Sequence, residues 1–273
     1  MKQNATLLLL LVVPFLSPLL AQCPIDLESG PDIYACMPPS PATIQLNATV
    51  SSNADGFEWL PPVPASMSKV LDPTFTVAAP VSTFVIKAYT LANGANLIFN
   101  GNFEQGNVGF TSGGNYSPGD LSQPLTYDVL ANPQDDNPVY SNCPDHTTGN
   151  GNMMAVHPPP SKGMSVWCQT VAVEPNTVYS LSFWATRIGP GVFNDNKYQL
   201  FMNGVLVTSS VPGGLCSWKE IKATWNSGSN TTVEMCIDLV SAFPNFPNKP
   251  LQPFALDDIS MRAPCTVYDS VKV

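Results

Sequence analysis

The side chains able to do chemistry are few, and their spacing limits what they do. The two histidines, His146 and His157, fall in turn-rich stretches beside Asp145 and Pro158. An Asp145–His146 dyad means catalysis only when a nucleophile lies within reach, and the nearby Cys143 is better placed in a disulfide. Glycoside hydrolysis needs two carboxyls roughly 5 to 10 Å apart across a cleft. The adjacent Asp135 and Asp136, in a proline-flanked loop, do not build one. No nucleophile elbow, phosphate-gripping glycine loop or zinc-helix motif occurs in the sequence. Together these features predict a protein without a catalytic centre.

Seven cysteines in an exported chain read as disulfides before they read as metal ligands. Export is expected from the opening segment: Lys2, an apolar run from Leu7 to Phe15, then Ser17-Pro18-Leu19-Leu20-Ala21, the order of a secretory signal peptide over residues 1–21. Pro14, Ser17 and Pro18 break the roughly 20 apolar residues that a membrane span needs, so no span is expected. Gln22 before Cys23 disfavours lipidation. Cys143 with Cys168, and Cys216 with Cys236, each flank one loop-and-strand unit, which predicts those two bridges. Cys23 with Cys36 is the third expected pair, leaving Cys265 over.

The elements that must position these groups read as strands. With 28 Pro, 18 Gly and 11% charged residues the composition is all-β, and a net charge of −9 with 11 Lys plus Arg leaves no basic footprint for nucleic acid. Residues 22–93 carry short alternating runs at 43–50, 57–59, 75–77 and 83–89, which predict a small immunoglobulin-like sandwich. Leu91 to Ala95 is the expected joint. Residues 94–264 form a second domain with strands expected at 96–99, 152–156, 164–173, 178–186, 198–209, 218–225, 231–240 and 254–261, the number and spacing of a jelly roll. Asn203-Gly204 inside 198–209 predicts a type I′ hairpin. Residues 265–273 read as the start of a further strand or a truncated tail, with no partner after it, which suggests a larger parent protein.

With the strands placed, a family resemblance becomes legible. The first unit resembles the PKD-type immunoglobulin-like repeats of large secreted bacterial proteins at Ile44 to Val50 and Phe57 to Pro61, with Trp59 expected in the core. "NLIFNGNFEQGNVGF" at 96–110, "WCQTVAVEPNTVYSLSFWAT" at 167–186 and "FALDDISM" at 254–261 resemble the jelly-roll carbohydrate-binding modules attached to bacterial xylanases and cellulases, within the galactose-binding-like fold. "CPDHTTGNGNMMAV" at 143–156 resembles the variant found in cell-surface proteins of Bacteroidetes-type bacteria. The fold class expected is therefore all-β, an immunoglobulin-like sandwich followed by a galactose-binding-like β-jelly roll.

The resemblance implies a structural calcium ion between the first and last strands, at Glu104 and the Asp257-Asp258 pair, with loop carbonyls near Asn100 and Asn152. Strand alternation puts Ala255, Asp257, Ile259 and Met261 on one face, and a carboxylate on an apolar face must be paired or hold a cation. The alternative is that Asp257 accepts backbone amides at a strand end. Sugar binding needs an aromatic platform with polar neighbours. Tyr179, Leu181 and Phe183 fall on one face of their strand, so Trp184 faces outward; it is the expected platform, with Gln199 and Glu220 as polar neighbours. Trp167, Trp218 and Trp225 are expected to pack, and Tyr116 and Tyr127 lie in a loop. The function expected is a secreted or cell-surface, non-catalytic module that contacts a polysaccharide or glycan. The rivals are an adhesin or spacer segment binding protein partners, and a glycoside hydrolase accessory fragment.

Overall fold

The structure, a computed structural model, describes residues 23–34, 42–77, 83–91, 94–160, 163–190, 196–242 and 251–273. The expected signal peptide, Cys36 and part of the expected joint lie outside these residues. Alternation of buried and exposed side chains dictates the smaller sandwich. Its strands are β1 (Leu27–Glu28), β2 (Ala42–Gln45), β3 (Thr49–Val50), β4 (Gly56–Trp59), β5 (Thr74–Val77) and β6 (Thr83–Thr90). On β6 the side chains of Phe84, Ile86 and Ala88 are buried, and Phe84 and Ile86 join Ile44, Leu46, Phe75 and Trp59, which is 1% exposed, in one core.

The larger unit contains β7 (Asn115–Tyr116), β8 (Thr126–Leu130), the short helix α1 (Pro133–Asp136), β9 (Met153–His157), β10 (Met164–Ala172), β11 (Val178–Arg187), β12 (Asn196–Met202), β13 (Val205–Ser210), β14 (Lys219–Asn226), β15 (Thr232–Ser241) and β16 (Phe254–Arg262). They form a four-stranded sheet, β10-β15-β12-β13, and a six-stranded sheet, β14-β11-β16-β9-β8-β7. Pairing is antiparallel except between β7 and β8. Between the sheets lies one core built from Trp167, Tyr179, Leu181, Phe183, Tyr198, Ile237 and Phe254 among others. The Asn203-Gly204 turn has φ of 48° and 74°, the left-handed pair that the hairpin between β12 and β13 demands. Residues 96–99, expected as a strand, contribute only a single bridge between Asn96 and Arg262.

The strand at the chain's end is not partnerless. β17 (Cys265–Lys272) runs antiparallel to β6 in unbroken register from Cys265 opposite Thr90 to Lys272 opposite Thr83. Val271 drops into the smaller core at 1% exposure. The geometric reason is that the larger sandwich begins and ends at one place. The Leu97 amide donates to the Met261 carbonyl at 2.8 Å, and a Cβ on Gly94 would stand 1.6 Å from the Ala263 oxygen, so only glycine fits there. The chain thus returns to the sheet it left, and the smaller sandwich draws on both ends of the sequence.

The disulfides differ from the expected pairing for a related reason. They join Cys143 to Cys216, Cys168 to Cys236 and Cys23 to Cys265, with Cα separations of 4.9, 4.2 and 5.5 Å. Pairing Cys143 with Cys168, Cys216 with Cys236 or Cys23 with Cys36 assumed that neighbours in sequence are neighbours in space. From β9 to β16 the chain changes sheets at every step except the β12–β13 hairpin, so β10 lies beside β15, and Cys168 faces Cys236 across that ladder.

Ending the chain at Ala263 removes β17 and the partner of Cys23. The expected outcome in limited proteolysis is rapid loss of residues 23–91 while the larger sandwich persists; equal resistance of both units, with and without β17, would contradict this assembly.

Candidate functional site

The outer face of the six-stranded sheet has a covered half and an open half. Leu121, Tyr140, Cys143, Met153, Ala155, Ile188 and Ala255 form a small apolar cluster under the loop that runs over the covered half. The open half is a groove of about 490 Å³, lined by Asn96, Asn100, Asn102, Ser182, Trp184, Glu220, Asp258, Ser260 and Arg262 among others.

Alternation on β11 brings Ser182 and Trp184 here. Tyr179, Leu181 and Phe183 are at most 1% exposed in the core, and the residues between them face outward. Trp184 sits opposite Glu220 on β14 and opposite Asp257 on β16. β16 carries an irregularity at this point. Its register with β11 passes from Ser182–Ser260 directly to Trp184–Asp257, so Asp258 and Ile259 together oppose Phe183, and Asp258 has φ of 48°. That is a β-bulge, and its extra residue shifts the alternation by one.

The expected shared face of Ala255, Asp257, Ile259 and Met261 is therefore corrected. Ile259 and Met261 point into the main core with Phe254 and Leu256, whereas Ala255 lies in the outer cluster. Asp257 and Asp258 both serve the outer side. They grip the loop that follows Cys143. Asp257 Oδ2 accepts the amides of His146 at 2.8 Å and Thr147 at 3.2 Å, and its Oδ1 accepts the Asp258 amide at 2.8 Å. Thr147 Oγ1 donates to Asp258 Oδ1 at 2.9 Å, and His146 Nδ1 lies 2.6 Å from Asp258 Oδ2. Asp257 is fully buried. Burial pushes its carboxyl up to about 7, against the opposing pull of those amides and with the Asp258 charge adding to the rise.

The same loop is fixed by the Cys143–Cys216 disulfide and by Trp218, whose Nε1 donates to the Pro144 carbonyl at 2.9 Å. Asp145 caps the next turn through the Thr148 and Gly151 amides, each at 2.8 Å. The imidazole of His146 lies parallel to the Trp184 indole, with centroids 3.7 Å apart and planes 17° apart. In the groove itself the Ser182 and Ser260 hydroxyls are 2.8 Å apart and Arg262 Nη1 donates to the Gly94 carbonyl at 3.0 Å; the groove-lining Glu220 Oε2 lies 2.7 Å from Nζ of the exposed Lys222.

The sequence-predicted residues are thus divided. Trp184, Glu220 and Asp258 share the groove. Gln199 does not: it lies on β12, in the four-stranded sheet, because the chain changes sheets between β11 and β12. Glu104 Oε1 accepts the Asn152 amide at 3.0 Å. The Asn100 side chain is used within its own loop, to Gly106, Val108 and Gln105. Oxygen ligands of one calcium ion lie within about 5 Å of each other, at 2.3–2.6 Å from the metal. Among the described residues the one cluster of three His, Cys, Asp or Glu donors within 4.8 Å is Cys168, Glu234 and Cys236, two of which are bridged. The carboxylates of Glu104, Asp257 and Asp258 do not form such a trio, and Asp257 accepts three backbone amides.

Cys143 is bridged, so the Asp145–His146 stretch has no thiol to activate, and His157 Nδ1 meets the Leu121 carbonyl at 2.9 Å. Trp167 is fully buried, Trp225 packs on Tyr179, and the Tyr127 hydroxyl donates to Asn107 Oδ1 at 3.0 Å. His146, Ser260 and Arg262 were missed as site residues. Plain outward alternation on β16, with Ile259 and Met261 inward, would have found the last two, which lie beyond the bulge.

No family model matches the chain, and no curated protein matches it. Among solved structures it is similar to the module TmCBM61 in complex with β-1,4-galactotriose, at 15% identity and TM-score 0.41, covering 62% of this chain and 99% of that one. It is similar to the CBM22-1 xylan-binding domain of Paenibacillus barcinonensis Xyn10C at 14% identity and TM-score 0.41, covering 62% and 95%. The CBM22-1–GH10 modules of Clostridium thermocellum xylanase 10B complexed with xylohexaose match at 11% identity and TM-score 0.37, covering 62% and 29%. Fold and site together define a disulfide-bonded, two-sandwich β protein with an open polar groove on one sheet.

The Asp257 carboxyl provides a test of the site's electrostatics. Held at about 7 when folded and about 3.9 when unfolded, it keeps its proton in the folded state across that window, so the folded state binds more protons and this group's contribution to stability falls as pH rises from about 4 to about 7. In metal-free buffer the wild-type Tm should fall across that window relative to Asp257→Asn. Parallel Tm profiles would contradict the assignment.

Proposed function

We propose that this protein is an exported, non-catalytic binding module whose groove takes a polysaccharide or a cell-surface glycan. The observation that carries the reading is the set of side chains around Trp184. A half-buried indole stands in an open groove beside Glu220, Asp258, the Ser182–Ser260 hydroxyl pair and Arg262. A pyranose offers an apolar C–H face to a ring and hydroxyls to carboxylates and guanidinium, which is what this lining accepts. Three disulfides agree with an oxidising compartment. Among the described residues no helix is long and apolar enough to cross a membrane.

Affinity electrophoresis on polysaccharides, followed by calorimetry with xylohexaose and β-1,4-galactotriose, tests the reading. Wild-type protein should be retained on at least one glycan, and Trp184→Ala should weaken binding at least tenfold, about 1.4 kcal/mol, as expected of an aromatic anchor. Retention on no glycan overturns the reading in favour of protein partners at a cell surface. Release of reducing sugar would overturn its non-catalytic part.

A structural calcium ion is a separate proposal. Its support is the complete burial of the Asp257 carboxyl, a group that a cation would stabilise in its charged form. Calcium at 100 times its Kd would add about 2.7 kcal/mol, so EDTA should lower the Tm. Identical melts in calcium and in EDTA would end the proposal.

A further inference from the structure

An indole standing on a sheet is free to lean over its neighbours, and a groove wall made from it has a defined shape only if something fixes the ring. Trp184 lines the groove, whereas the His146 imidazole stacked on it stands outside that lining. The imidazole thus covers one face of the ring and is not itself among the residues that line the groove. A parallel aromatic contact at 3.7 Å is close packing with little room for the indole to rotate.

His146 is itself held from several directions. Its amide donates to Asp257 Oδ2 at 2.8 Å, its Nδ1 meets Asp258 Oδ2 at 2.6 Å, and its ring meets the edge of Trp218 at 5.9 Å. Trp218 in turn is bonded to Pro144, and Cys143 is bridged to Cys216. The residue that presses on Trp184 is thus anchored through its backbone and its side chain.

We propose that His146 is a positioning residue, the buttress that fixes Trp184 as a wall of the groove and so sets the shape of the surface that the sugar meets. This rests on the glycan-binding reading. The mechanism has two steps: the Asp257-Asp258 bulge seats the 143–148 loop, and the loop's imidazole fixes the indole. Ring contact carries the effect, so a phenyl group at position 146 replaces the imidazole in it.

The test uses the full chain with two readouts, one free of ligand. The indole resonances of wild type, His146→Ala and His146→Phe are recorded by NMR, with Trp184 assigned from Trp184→Phe. Binding of xylohexaose and β-1,4-galactotriose is measured on the same proteins. Expected is a shifted, broadened Trp184 indole signal and about tenfold weaker binding in His146→Ala, with both restored to within a few-fold in His146→Phe. A Trp184 signal unchanged in His146→Ala overturns the proposal. So does an altered signal with unchanged affinity, which would make the stack irrelevant to the groove. If the wild type binds neither sugar nor any other glycan, the binding reading fails, while the ligand-free signal still decides whether His146 fixes Trp184. His146→Phe separates loss of the ring from a general loss of folding.

Discussion

A carboxylate removed from water must be hydrogen-bonded, paired or neutralised, and the arrangement around the groove follows from how Asp257 meets that demand. Its oxygens take amides from His146, Thr147 and Asp258, so the same bonds that satisfy the buried group also seat a loop on the sheet. The loop delivers His146 to Trp184 and, through the Cys143–Cys216 bridge and Trp218, joins the edge strand β14 to the sheet's centre. The bulge at Asp258 is the backbone device that makes this possible. It puts two consecutive carboxylates on the outer side of a strand whose neighbouring residues fill the core. Removing one partner would leave the other groups with buried, unpaired polar atoms, a costlier state than never having had them.

The second organising fact is topological. The larger sandwich starts and finishes at one place, so its two ends pass side by side into the smaller sandwich, and β17 completes the sheet that β6 leaves unfinished. Two chain connections join the units at that point, and the Cys23–Cys265 bridge ties the start of the smaller sandwich to β17 within that same unit. Such a double connection restricts hinge motion more than a single flexible linker would.

Much of the fold was legible because its signals are local. Period-two alternation located β6, β9 to β12 and β14 to β16 to within a few residues, and the Asn203-Gly204 dipeptide located its hairpin. The outward aim of Trp184 follows from the inward aim of Tyr179, Leu181 and Phe183, a relation fixed by strand geometry alone. What could not be read depends on which strands become neighbours. Cys168 faces Cys236 only because β10 lies beside β15, and Gln199 misses the groove only because the chain crosses to the other sheet after β11. The phase of β16 is a third kind of failure. A left-handed aspartate in mid-strand has no residue signature, and one extra residue exchanges the two faces of everything before it. His146 depends on all three, since its place over Trp184 needs the loop, the bulge and the strand neighbours at once.

The central claim is that the open half of the six-stranded sheet, with Trp184 in its wall, is where a glycan is held. Of the five tryptophans, Trp59 and Trp167 are buried in the two cores and Trp184 stands in the groove. The most direct measurement is an NMR titration of the indole signals of the wild-type protein with xylohexaose and with β-1,4-galactotriose. The account predicts that the Trp184 signal moves with a saturable dependence on sugar while the Trp59 and Trp167 signals stay in place. A saturable shift elsewhere with Trp184 unmoved would contradict it.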